Sequence, residues 1–207
     1  THAGGQGTEW GYDLFLAVTA AGDALITDRI LKSHEFTFGS INVADDNVEG
    51  SSGKDVLVAK CSSDGVWAWV ATSAKPVAGY IDSAIEAIAL LPSGGVAIAG
   101  TYGGGTIAFG SAATLTSAGN QDAFVARVSD AGVWEWAASG GGPDTDVTGI
   151  SVAADGSIGL TGTMKFPANG DGSYGAVQFG SIVLTCGGRS ASYNYFGECG
   201  MGNPFSA

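Results

Sequence analysis

An all-β fold of three repeats of about 70 residues, each read as a propeller-type four-stranded blade, is predicted for this chain of 207 residues. Three observations predict it. A hairpin phrase, Asp55-Val-Leu-Val-Ala-Lys, Ser-Ser-Asp-Gly, Val66-Trp-Ala-Trp-Val70, returns as Asp122-Ala-Phe-Val-Ala-Arg, Ser-Asp-Ala-Gly, Val133-Trp-Glu-Trp-Ala137. Asp55 to Asp122 and Trp67 to Trp134 are both 67 residues. Phe-Gly-Ser occurs at Phe38, Phe109 and Phe179, spaced by 71 and 70 residues. Finally, 35 glycines stand beside only five prolines, without a Gly-X-Y period, a balance that suits many short strands joined by glycine turns.

The elements follow from the repeat. Each unit opens on a hairpin, residues 16–28, 88–100 and 150–162, turning at Gly22, Gly94 and Gly156. Each Phe-Gly-Ser then opens a short apolar strand, beginning Ile41-Asn-Val43, Ala112-Ala-Thr-Leu115 and Ile182-Val-Leu-Thr185. The Trp-x-Trp hairpin closes the unit. Unit one spans about 4–71, unit two about 72–138 and unit three about 139–207, in one repeat domain. Alternation over 66–70 places Trp67 and Trp69 on one face, and large side chains opposite small ones suit sheets stacked face to face. Residues 82–89 come nearest to a helical period, but their place in the repeat predicts a strand. Near Arg189, where an Asp-x-Phe-Val-Ala hairpin is due, unit three changes character. It ends in an atypical segment, either a terminal cap or a blade cut short.

Eight Lys and Arg against 20 Asp and Glu give a net charge of −12. The cations are scattered, whereas a phosphate backbone needs a clustered basic face, so nucleic acid is not an expected partner. No apolar run approaches the ~20 residues of a membrane-spanning helix. The start at Thr1, without an initiator Met, is read as a processed or truncated product. Cys186 and Cys199 flank an aromatic, glycine-rich segment and are a disulfide candidate; the other reading is three reduced thiols, Cys61 included.

The order Asp-x-Phe-Val-Ala-Lys/Arg, Gly-x-Trp-x-Trp-Ala, Gly-Ile-x-Val-x-x-x-Gly-x-Ile-x-Leu-Thr-Gly and Phe-Gly-Ser resembles the SBBP-type β-propeller repeats of secreted and cell-surface proteins. The resemblance runs through residues 4–188. It implies four-stranded blades around an axis, a secreted or cell-surface location, and no shared catalytic constellation. Propellers close with about 4–8 blades, and three leave open faces and strand edges. Other chains are therefore expected partners, in a homo-oligomer such as a six-bladed ring from two chains, or in a head-to-tail filament.

Candidate chemistry is sparse. Asp144 and Asp146, after a run of glycines, and Asn169 and Asp171, in the insertion of unit three, are candidate calcium ligands, as is the Asp45-Asp46-Asn47 cluster. Calcium takes six to eight oxygen ligands, but Asx residues in turns serve equally to bond their own backbone. No other cofactor is expected. There is no Gly-x-Ser-x-Gly elbow with suitable partners, His2 and His34 read as surface residues, and the triple glycines at 103–105 and 140–142 lack the sequel of a phosphate loop. Trp67, Trp69, Trp134 and Trp136 read as inter-sheet packing before sugar stacking. The expected function is a non-enzymatic extracellular structural or interaction module, mediating self-assembly or adhesion. The alternative is a carbohydrate-binding module, with or without calcium, using Tyr102, Tyr174, Tyr193 and Tyr195.

Overall fold

The computed structural model describes residues 3–5, 14–30, 36–43, 49, 51–141, 144–165, 176–179 and 182–185. Every regular element among them is a β-strand, and nearly all pairing is antiparallel. A first sheet is a four-stranded meander of Phe15–Val18, Ala24–Ile30, Asp55–Cys61 and Trp67–Thr72. The second repeats it with Asp82–Leu90, Val96–Gly103, Asp122–Val128 and Trp134–Gly141, then continues through Ala176–Phe179 and Ile182–Thr185 to six strands. A third sheet pairs Asp144–Val152 with Ile158–Lys165.

One turn chemistry closes five hairpins. In each, the residue three before a glycine accepts the glycine's N–H and gives its own N–H to the residue after the glycine, as with Gly22 N to Thr19 O and Thr19 N to Asp23 O, both 2.9 Å. This is a type I turn ending in a left-handed residue, which only glycine enters without strain. Gly22, Gly65, Gly94, Gly132 and Gly156 accordingly sit at φ 87°, 77°, 83°, 78° and 87°. The Phe-Gly-Ser segments turn two smaller hairpins: Phe36–Phe38 with Ile41–Val43, and Thr106–Phe109 with Ala113–Thr116. In both, the phenylalanine meets the first tryptophan of its unit's Trp-x-Trp edge to face, Phe38–Trp67 at 5.0 Å and Phe109–Trp134 at 4.9 Å.

The expected strand at 82–89 forms, as Asp82–Leu90. The expectation that Trp67 and Trp69 share a face is overturned. Lys60 pairs with Trp69 and Cys61 with Trp67, so Ala68 is an extra residue in a β-bulge. The bulge breaks the period of two, and the rings leave on opposite faces. Trp67 packs with Phe38, Leu57 and Ala59, while Trp69 packs with the core holding Val56 and Val58. Glu135 is the matching bulge of the second sheet, sending Trp134 and Trp136 to opposite faces.

The sheets stack face to face. Asp82–Leu90 packs against the first sheet, and Asp144–Val152 against the second. Between first and second lies a core of Leu25, Val56 and Val58 against Val96, Ile98, Phe109, Phe124 and Trp134. Between second and third, Ala97, Ala99, Ala123 and Val125 meet Val147 and Ile158. The second sheet is thus buried on both faces, large residues on one and small on the other. Burial of this kind is worth about 25 cal/mol per Å² of apolar surface and holds the stack together.

Candidate functional site

The repeat makes the two interfaces comparable position by position. The second sheet turns a face of larger residues toward the first sheet and a face of smaller ones toward the third. On the second sheet the predecessor face carries Ile88, Leu90, Ile98, Phe124 and Trp134, all packed against the first sheet. The same positions of the first sheet hold Leu16, Val18, Ile26, Leu57 and Trp67. Of these, Leu57 and Trp67 pack with Phe38 and Val43 of a small sheet formed by Ala3–Gly5, Phe36–Phe38 and Ile41–Val43, whereas no sheet among the described residues covers Leu16 and Val18. Leu14, Leu16 and Val18, alternate residues pointing the same way, stand 66%, 58% and 55% exposed.

A polar atom marks the same asymmetry. Trp134 donates its indole N–H to Thr72 O, 3.0 Å away at the end of the first sheet. The N–H of Trp67, its counterpart, is buried without a hydrogen-bond partner. An unpaired buried donor costs about 1–3 kcal/mol.

Ion pairs lace the sheets at their turns. Lys60 of the first sheet reaches Asp23 at 3.1 Å and Asp130, in a turn of the second, at 2.7 Å. Its hydrogen bond to Asp130 raises the Lys60 pKa above 10.5, and its bond to Asp23 helps lower that carboxyl below 3.8. Trp69 donates to Asp130 O at 2.8 Å, so ring and ammonium grip one turn. Deeper in, Lys75 and Asp55 form a fully buried pair at 2.8 Å, with Ser73 Oγ donating to Asp55. Asp122 occupies the place of Asp55 in the second unit, but the sequence has Gly142 where a counterpart of Lys75 would stand. Burial pushes the Asp122 carboxyl above its usual 3.8, against backbone N–H bonds from Ala118 and Gly119.

The predicted ligand candidates are not assembled into a site. Asp144 and Asp146 lie on a strand, not in a loop, and the Asp146 carboxylate accepts from Gln121 Nε2 at 2.9 Å. Asn169, Asp171, Asp45, Asp46, Asn47, His2, His34, Cys186, Cys199, Tyr174, Tyr193 and Tyr195 lie outside the described residues. Among the described residues, no group of three His, Cys, Asp or Glu side chains is placed to hold a metal. Tyr102 is 1% exposed, packed on Phe124, so the proposed sugar-stacking ring is a core residue instead. Cys61 is a free thiol at a strand end. The exposed row of Leu14, Leu16 and Val18 was not foreseen as a site. Its alternation was legible; which faces the stack would cover was not. No family model matches the chain, and no curated protein matches it.

Proposed function

We propose that the chain is a non-enzymatic structural and interaction module of propeller-type blades, of the secreted or cell-surface kind its repeats resemble, which joins protein chains through the faces of its sheets. The observation that carries this reading is the exposed row of Leu14, Leu16 and Val18 on the first sheet, where Ile88 and Leu90, the counterparts of Leu16 and Val18, are packed on the second. A row of exposed Leu and Val on a chain of net charge −12 marks a contact surface rather than a solvated one. The meanders, their shared turns and their stacking support the blade reading, in which the innermost strands gather near an axis. The carbohydrate-binding alternative has less support, because Tyr102 is buried.

Light scattering after size exclusion tests the proposal. Self-association predicts a mass of at least two chains, each 20.6 kDa. A clean monomer across a concentration series defeats the self-assembly reading.

A further inference from the structure

We propose that Asp122, with the neighbouring Tyr102 hydroxyl, binds a monovalent cation of ammonium size, which does for the second unit what the Lys75 side chain does for the first. The site is independent of the interaction-module reading and rests on a comparison within the chain.

Residues 54–76 and 121–143 align without a gap, from Lys54-Asp55 against Gln121-Asp122 to Lys75-Pro76 against Gly142-Pro143. In the first unit the buried carboxylate is matched by a cation. Lys75 Nζ stands 2.8 Å from Asp55 Oδ1 and donates to Gly53 O at 3.3 Å, with both side chains fully buried. Asp55 also accepts from Ser73 Oγ at 3.3 Å. The second unit keeps the carboxylate and loses both partners: Gly140 stands for Ser73 and Gly142 for Lys75. Asp122 is nonetheless only 2% exposed.

Its two oxygens differ. Oδ2 accepts the N–H of Ala118, whereas Oδ1 is buried with no hydrogen-bond partner. Oδ1 lies against the strand that leads to Gly142, since a Cβ on Gly141 would come within 1.9 Å of it. The corresponding strand of the first unit continues into Lys75. Tyr102, the cross-strand partner of Asp122, is 1% exposed, and its hydroxyl also lacks a hydrogen-bond partner. Burial raises the pKa of this phenol, and Ser139 and Asp122 both act on it. Asn120 O is the counterpart of the Gly53 carbonyl that Lys75 meets. A buried carboxylate without a compensating charge is costly, and burial pushes Asp122 above its usual 3.8. One carboxylate among neutral oxygens carries a single negative charge, which a monovalent ion balances. Potassium has the charge and nearly the size of an ammonium, and oxygen atoms such as carbonyls can replace its hydration shell.

Thermal melts of wild type and Asp122→Asn at neutral pH test the site, in potassium chloride and in tetramethylammonium chloride at equal ionic strength. The larger ion screens charge but does not fit a place matched to an ammonium. On exchange of tetramethylammonium for potassium, the wild-type melting temperature is expected to rise by about 2–4 °C and to level off as potassium increases. Asp122→Asn keeps the shape, loses the charge and should show no rise. Tyr102→Phe should move the half-maximal potassium concentration several-fold upward; an unchanged midpoint removes the hydroxyl from the site. Equal wild-type melts in the two salts overturn the proposal and leave Asp122 a buried acid without an ion. A rise that persists in Asp122→Asn overturns it too, because the ion then binds elsewhere. A response to calcium chloride but not to potassium overturns the ammonium-sized ion in favour of a divalent one. None of these outcomes bears on the mass that tests the module reading.

Discussion

Thr27 lies fully buried between the first and second sheets, its hydroxyl without a partner. A buried unpaired hydroxyl costs more than the shape-matched methyl that would replace it. Thr27→Val is expected to raise stability by about 1 kcal/mol, read as a higher denaturant midpoint with unchanged slope. Asp122 makes a prediction of opposite pH character to most carboxylates. Burial raises its folded pKa above 3.8, so the folded state holds this proton more tightly than the unfolded chain does. Its contribution is complete below pH 3.8 and is lost as pH climbs through the raised value. Asp122→Asn should therefore melt higher than wild type at neutral pH, with the gap closing on acidification. A gap that widens toward low pH contradicts the assignment.

Within the hairpins, the constraint lies in the turns and the bulges. Gly132 sits at φ 78°, and a Cβ there would come within 2.6 Å of the Trp69 ring. Gly132→Ala suffers both backbone strain and a clash across the sheet interface, and should lose about 1–3 kcal/mol by chemical denaturation. Gly156→Ala, with an equal turn but open space around it, should lose only the backbone part. The buried Lys75–Asp55 pair ties the end of the first meander to its third strand. Lys75→Met strands a buried carboxylate and is expected to cost about 3–5 kcal/mol, whereas Lys75→Met with Asp55→Leu should recover part of the loss. Failure of the double substitution to recover anything would show that Asp55 is needed for its other bonds.

Across the stack, two tryptophans in equivalent positions should behave differently. Trp134→Phe loses ring packing and the bond to Thr72 O; Trp67→Phe loses packing and no hydrogen bond. In dilute solution, where chains are apart, Trp134→Phe should cost about 1 kcal/mol more than Trp67→Phe. Equal losses would mean that the bond from Trp134 to Thr72 O adds nothing net to the stack.

Much of this molecule can be read from residues alone. Glycine at a left-handed turn position and a period of two along a strand are local properties, so the hairpins, the Phe-Gly-Ser turns and the repeat spacing are legible in the chain. Likewise, the strand at 82–90 follows from the repeat despite its helical look. The bulges are not legible: one extra residue at Ala68 or Glu135 shows only once a partner strand sets the register, and it reverses where Trp67 points. Nor can composition tell a covered face from an open one. Leu16 and Ile88 are equivalent apolar positions, and only the stacking order leaves the first in water while packing the second, because burial belongs to the pair of sheets and not to either strand.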